Sequence, residues 1–195
     1  MVDLWASSSL NHWRIALARY ADVVAAQGVA PLAELDRWSR EELPDVIRAR
    51  EPAHVTLSEL VRLTEWKMAR GVWRAPNLIL VRGNAPDVVV TTSVAALASV
   101  PHASAPVATL TQLAGIGPAT ASAVLAAAAP DRYPFFDELV SAQVPHLGAV
   151  AWTLGYYARY ADAIRARTLA LGQDWTPVMV EQALWAHVGG KAGKS

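Results

Sequence analysis

The segment from Leu110 to Asp137, LTQLAGIGPATASAVLAAAAPDRYPFFD, constrains the fold more than any other part of the chain. Gly115 and Gly117 lie two residues apart and predict a tight turn, because glycine tolerates positive φ and close approach of the backbone. Pro118 suits the first position of a helix, where no N–H is needed. Leucines on one face of a short helix precede the turn (Leu110, Leu113). The pattern therefore predicts two helices joined by a glycine hairpin over about residues 106–129.

A hairpin of this kind has a chemical consequence. Its second helix would point free backbone N–H groups and a partial positive charge outward at its start. Such a helix end binds phosphate, and bare glycines at 115 and 117 would let a phosphate reach the backbone. The alternative is a plain helical hairpin closed by Gly-x-Gly, which only packs. Both interpretations stay open at the level of sequence.

The pattern Leu-x-x-Leu-x-Gly-Ile-Gly-x-x-x-Ala resembles the hairpin of the helix-hairpin-helix (HhH-GPD) DNA glycosylase superfamily, and the chain resembles a divergent member. The resemblance covers about Leu110 to Asp137 only. It implies an all-α fold of two helical lobes, with a cleft beside the hairpin. It also implies double-stranded DNA as the partner, contacted through the turn and the start of the second helix: Gly115, Ile116, Gly117, Ala119 and Thr120.

Asp137 matches the carboxylate that follows the hairpin in that superfamily. The resemblance implies that Asp137 is catalytic and stabilises the sugar cation while the glycosidic bond of a flipped, damaged base breaks. Ala119 stands where strand-cutting members carry a lysine, 18 positions before Asp137, so no Schiff base can form. The implied enzyme is at most a monofunctional, hydrolytic base-excision repair glycosylase without lyase activity. The alternative for Asp137 is an N-cap of the helix beginning at Glu138, and the two roles are compatible. Many members of the superfamily carry an arginine soon after the catalytic carboxylate, but this chain has no arginine between Asp137 and Arg159.

A second informative stretch is EWKMARGVWRAPNL, in which tryptophans alternate with cations. Such a pattern is typical of surfaces that stack bases and bind phosphates. The stretch predicts one wall of a base pocket opposite Asp137, formed by Trp66, Lys67, Trp73 and Arg74, with Phe136 from the hairpin segment. The alternative is two core tryptophans flanked by solvated cations.

Composition limits the other function classes. Hydrophobic residues make up 53% and charged residues 17%, as in a globular protein. Lys+Arg and Asp+Glu both number 17, which argues against a general nucleic-acid coat protein but not against a local binding site. The chain has no cysteine, which excludes a thiolate zinc site and an iron–sulfur cluster, and its five histidines lack metal-ligand spacing. We expect no cofactor and no metal, although the resemblance allows a monovalent cation at the hairpin.

Local signals predict about ten helices. A helix is expected from Leu10 to Gln27 and another from Leu32 to Leu43, broken by Pro44. Thr56 and Glu59 form a capping box that opens a helix ended by Gly71. The β-branched run at 88–90 has no partner strand and is assigned to a helix.

We therefore predict one HhH-GPD-like helical domain over residues 1–189 and a flexible tail over 190–195. No signal peptide or bilayer-spanning run is found, so a soluble cytoplasmic protein, monomeric by default, is expected. Three functions remain open: a monofunctional DNA glycosylase, a non-catalytic helix-hairpin-helix DNA-binding module, and a helical interaction protein.

Overall fold

A computed structural model describes residues 3–194 of the chain. Residues 1–2 of the predicted domain and residue 195 of the predicted tail lie outside the described residues. Over residues 3–194 the fold is helical and without strands, which confirms the predicted all-α class. The α-helices are α1 (Leu10–Ala18), α2 (Tyr20–Ala25), α3 (Leu32–Arg37), α4 (Leu43–Arg48), α5 (Leu57–Arg70), α6 (Ala75–Arg82), α7 (Pro86–Ala98), α8 (Ala105–Leu110), α9 (Pro118–Ala128), α10 (Glu138–Ser141), α11 (Leu154–Leu171) and α12 (Pro177–His187).

The helix starts follow local capping rules. The Thr56 hydroxyl accepts a hydrogen bond from the Glu59 amide, and the Glu59 carboxylate accepts one from the Thr56 amide, so the predicted capping box is confirmed. α5 then runs to Arg70 and ends at Gly71, as predicted. Thr153 and Thr176 cap α11 and α12 through their side chains. The β-branched run at 88–90 lies inside α7, as predicted.

Two of the helix predictions are wrong. The helix expected from Leu10 to Gln27 is two helices, because Arg19 has a ψ of −5° and turns the chain between α1 and α2. Pro44 does not break the second helix. A π-helical turn over Trp38–Glu42 joins α3 to α4, and Pro44 falls in the first turn of α4, where its missing N–H costs little.

The helices pack in two groups that share one apolar core. α12 packs against α1, α2, α10 and α11, while α5 packs against α3, α6, α7 and α9. α9 is the most deeply placed helix, since each residue from 119 to 127 is buried. An ion pair between Arg70 of α5 and Glu181 of α12 connects the two groups. The two-lobed glycosylase architecture remains a prediction.

The C-terminal segment contacts the helical domain. Gln27 donates a hydrogen bond to the Gly189 carbonyl at 3.1 Å and accepts one from the Ala192 amide at 2.9 Å. The Lys191 ammonium group donates to the Gly71 carbonyl at 2.8 Å. These contacts place part of the predicted tail beside α2 and the end of α5. Among the helices of residues 3–194, none is both long and apolar enough to cross a bilayer.

Candidate functional site

The glycine turn between α8 and α9 has a geometry that requires Gly115. This residue has a φ of +75°, which L side chains rarely adopt. A Cβ added there would lie 2.7 Å from the Asn77 carbonyl oxygen and 2.9 Å from the Cβ of Leu80. Both contacts belong to α6. Gly115 therefore provides the turn and also lets α6 pack against it.

Asn84 fixes this turn from behind. Its side-chain amide donates to the Ala114 carbonyl at 3.0 Å, and its side-chain oxygen accepts from the Ala114 amide at 2.9 Å. It also donates to the Val81 carbonyl at 2.9 Å, which ties it to the end of α6. Sequence reasoning missed this role. The only local signal was a Gly-Asn pair at a helix end, which does not indicate a contact with a residue 30 positions away.

The front of the turn is open. Gly117 is the N-cap of α9, with extended backbone and no side-chain cap, and a Cβ added there would meet nothing within 4 Å. Ile116, Ala119 and Thr120 are buried. The residues predicted to bind DNA thus lie together at the turn. The side chains of Ile116, Ala119 and Thr120 pack in the interior and do not face solvent. Any ligand here would be held by backbone amides at the start of α9.

Both oxygens of Asp137 already have partners. Oδ1 accepts hydrogen bonds from the Leu139 amide at 2.7 Å and the Val140 amide at 3.3 Å, so Asp137 is the N-cap of α10. Oδ2 accepts from the Arg70 guanidinium Nε at 3.1 Å. The residue is 8% exposed. The N-cap interpretation is confirmed, and the catalytic role remains a prediction.

Arg70 is the centre of a buried ion cluster that sequence reasoning did not find. Besides Asp137, it pairs with Glu181 and donates to the Tyr20 hydroxyl at 2.8 Å. Arg40 pairs with the other oxygen of Glu181 at 2.8 Å. These side chains come from α2, α5 and α12 and from the π-helical turn, so the cluster joins four elements.

Asp36 completes the cluster. It accepts hydrogen bonds from the Tyr20 hydroxyl at 2.7 Å and from the Trp66 indole N–H at 2.8 Å. The cluster, which we call the Arg70 cluster, thus combines two arginines with three carboxylates. Its members are Asp36, Arg40, Arg70, Asp137 and Glu181.

The Arg70 cluster holds three carboxylates but only two arginines, and this imbalance affects the pKa values of its members. Burial raises the pKa of Glu181, and the nearby charges of Asp137 and Asp36 raise it further, against the opposing effect of the two arginines. For Arg70, burial favours the neutral form, but the carboxylates around it outweigh burial and raise its pKa. Burial also raises the pKa of Tyr20, so its hydroxyl stays protonated and donates to Asp36.

The five residues predicted to line a base pocket lie in two environments. Trp66 is 1% exposed and packs against Phe135, with ring centroids 4.7 Å apart. Phe136 is also 1% exposed and packs among aromatic rings (Trp152, Tyr156, Tyr157 and Tyr160). Lys67 is half-buried, whereas Trp73 and Arg74 are exposed at the surface. Arg70 contacts both Trp66 and Asp137: its guanidinium lies 5.6 Å from the Trp66 ring centroid and donates to the Asp137 carboxylate.

Two cavities elsewhere have linings that include neither Asp137 nor the turn. One, of about 210 Å³, lies between α1 and His187. The other, of about 390 Å³, lies between α4, α7 and the end of α9, with Arg50 at its wall. Arg50 already forms two hydrogen bonds of 2.7 Å to Glu59. Among residues 3–194, no group of three or more His, Cys, Asp or Glu side chains could hold a metal ion.

The monovalent cation that the resemblance allows would require carbonyl oxygens of the hairpin turn. The Leu113 carbonyl accepts from the Ile116 amide at 3.2 Å, and the Ala114 carbonyl accepts from Asn84. Each carbonyl oxygen has a second lone pair, so both retain the capacity to contact an ion. A monovalent cation at the turn remains a prediction.

Comparison of the chain with family models, with curated proteins and with solved structures found no match. The likeness to the glycosylase superfamily therefore depends on the hairpin motif and the position of Asp137.

Proposed function

We propose that this protein is a helix-hairpin-helix module that binds the phosphate backbone of double-stranded DNA. The single observation that carries the proposal is the start of α9. Its N-cap is Gly117, which has no side chain to satisfy the first amides of the helix, and the space in front of it is open. Amides at a helix start and the helix dipole together favour an anion.

The rigidity of the turn supports this proposal. The turn is held from behind by Asn84 and by the close packing of Gly115 on α6. Backbone donors held in place lose little conformational freedom when a ligand binds. Contacts of this type position a protein on a duplex without reading its sequence. They also agree with a net charge of zero, because the binding charge is local.

A monofunctional DNA glycosylase is the second candidate, and the position of Asp137 favours it. The residue follows the hairpin and lies at the start of α10, as the resemblance implies for the catalytic carboxylate. Its geometry favours a structural role instead, since Oδ1 caps a helix and Oδ2 pairs with Arg70. To act on a sugar cation, the carboxylate would need to keep its charge exposed to the substrate.

The test of the main proposal is duplex DNA affinity measured over a range of salt concentrations. We expect Gly117→Glu to weaken binding by about tenfold or more, because it places a negative charge beside the bound phosphate. The backbone at Gly117 is extended with φ −97°, and the site has room, so the variant should fold.

The matched control is Gly155→Glu, which adds the same charge at the start of α11. Gly155 also has open space around it, and Thr153 already caps that helix. The control should bind as the unaltered protein does. Equal affinity of both variants would refute the hairpin site, and absence of any salt-dependent binding would favour an interaction protein instead.

A separate assay tests the second candidate. Base release from duplexes with alkylated, deaminated or oxidised bases would be measured for the unaltered protein and for Asp137→Asn. Release that disappears in Asp137→Asn while DNA binding persists would establish the glycosylase. Binding without release would establish the non-catalytic module.

A further inference from the structure

The loop between α5 and α6, residues 71–74, exposes a large aromatic side chain. Trp73 is 55% exposed, as is its neighbour Val72. On α6, which follows this loop, Ile79 and Leu80 are also exposed, at 69% and 52%. Leu80 lies against Gly115, so the exposed side chains of α6 border the hairpin on the side that α6 covers.

Cations without carboxylate partners surround this loop. Neither Lys67 nor Arg74 takes part in an ion pair among residues 3–194. Burial lowers the pKa of Lys67, and the neighbouring charge of Arg74 lowers it further. Lys191 reaches the same loop through its bond to the Gly71 carbonyl. Like charges placed together without a carboxylate favour an anionic ligand at this position.

We infer that Lys67, Trp73 and Arg74 form a stacking platform for an unpaired base of a nucleic acid strand. The inference rests on the proposed function, because the same nucleic acid would contact the hairpin. An exposed indole stacks on a base only where the face of the base is accessible, as it is in a single strand. The two cations would hold the phosphates beside that base.

The position of the platform relative to the hairpin supports a combined site. The Asn77 carbonyl contacts the turn at Gly115, and the Asn77 amide bonds to the Arg74 carbonyl at 3.1 Å. Residues three apart on a helix have neighbouring side chains, about 5–6 Å apart. Arg74, the N-cap of α6, is therefore about one helical turn from the residue that contacts the hairpin. The substrate class that fits both surfaces is a duplex that continues into a single strand.

The test compares a short blunt duplex with the same duplex carrying a single-stranded overhang, by fluorescence anisotropy. The unaltered protein should bind the overhang duplex about tenfold more tightly, as expected for one stacked base. Trp73→Ala should remove this preference and leave affinity for the blunt duplex unchanged. Trp73→Phe should restore most of it, because phenylalanine keeps an aromatic face.

The role of Lys67 and Arg74 is tested by the dependence of DNA affinity on salt concentration. Lys67→Ala and Arg74→Ala should each reduce the slope of log affinity against log salt for the overhang duplex by about 0.7. Arg14→Ala is the control, since Arg14 is an exposed cation on α1, whose main packing partners are α12 and α2. This control should leave the slope unchanged.

The outcomes separate this inference from the proposal on which it rests. Binding of the blunt duplex without a gain from the overhang would overturn the platform and keep the hairpin. Failure to bind either duplex would overturn both. Binding to vesicles of anionic phospholipid that Trp73→Ala abolishes, without any preference for the overhang, would assign the surface to a membrane and overturn the inference.

Discussion

The buried Arg70 cluster leads to a prediction whose size follows from the structure. Arg70→Met removes the guanidinium but fills most of its volume, and leaves Asp137 and Glu181 without their shared cation. Breaking a buried ion pair by removing one partner costs about 3–5 kcal/mol. Here each carboxylate keeps other partners, the α10 amides for Asp137 and Arg40 for Glu181. We therefore expect the lower end of that range, about 3 kcal/mol.

For a chain of this length, a loss of about 3 kcal/mol lowers Tm by about 6–12 °C. Urea unfolding followed by far-ultraviolet circular dichroism measures the free energy directly. Arg62→Met is the matched control, because it makes the same substitution on the same helix in an exposed pair with Glu34. Exposed pairs contribute little, so the control should lose about 1 kcal/mol or less. Equal losses in both variants would refute the idea that the Arg70 cluster holds α5 to α12.

The loss in Arg70→Met should also depend on pH. The pKa of Glu181 is raised in the folded protein, so its contribution to stability is fully present below about 4.5 and is lost as pH rises through the folded pKa. Without Arg70 the folded pKa rises further, since that arginine is the main charge lowering it. The destabilisation should therefore be larger at neutral pH than at mildly acidic pH.

Two further predictions concern the hairpin and the start of α5. Gly115→Ala should destabilise the protein by about 1–3 kcal/mol more than Gly148→Ala in urea unfolding. Both residues have positive φ, so that cost cancels, and only Gly115 would clash with α6. Equal losses would show that α6 can move aside. Burial opposes ionisation of Glu59, but the hydrogen bonds with Arg50 outweigh burial and lower its pKa. Glu59 therefore contributes stability that is present above its ordinary pKa and is lost as pH falls through the folded pKa. Glu59→Gln should make the free energy of unfolding less dependent on acid pH, and an unchanged acid transition would contradict this assignment.

Local chemistry explains the features that the sequence predicted. The capping box at Thr56, the Gly71 stop, the glycine hairpin and the Asp137 cap each depend on residues within a few positions of one another. The helical assignment of 88–90 succeeded because β-branched residues without a partner strand gain little from extended structure. At Pro44 the same local reasoning failed, because a π-helical turn before the proline changes which N–H groups are needed.

Contacts between distant segments could not be predicted. Arg70 and Glu181 are 111 positions apart, and Asn84 reaches Ala114 across 30 positions. A charged residue on a helix is normally solvated, so nothing in the local pattern marked Arg70 as buried. The two tryptophans of the EWKMARGVWRAPNL stretch show the same limit. Trp66 lies in the core and Trp73 at the surface, a difference that depends on the bend at Gly71.

The most direct test of hairpin binding is to follow backbone amide chemical shifts by NMR while a short blunt duplex is added. Phosphate binding at the start of α9 predicts that the largest changes occur at the amides of Gly117, Ala119 and Thr120. The amides at the start of α11, where Thr153 already caps the helix, should change little. Unchanged amides at Gly117, Ala119 and Thr120, with large shifts elsewhere, would contradict the proposed phosphate site.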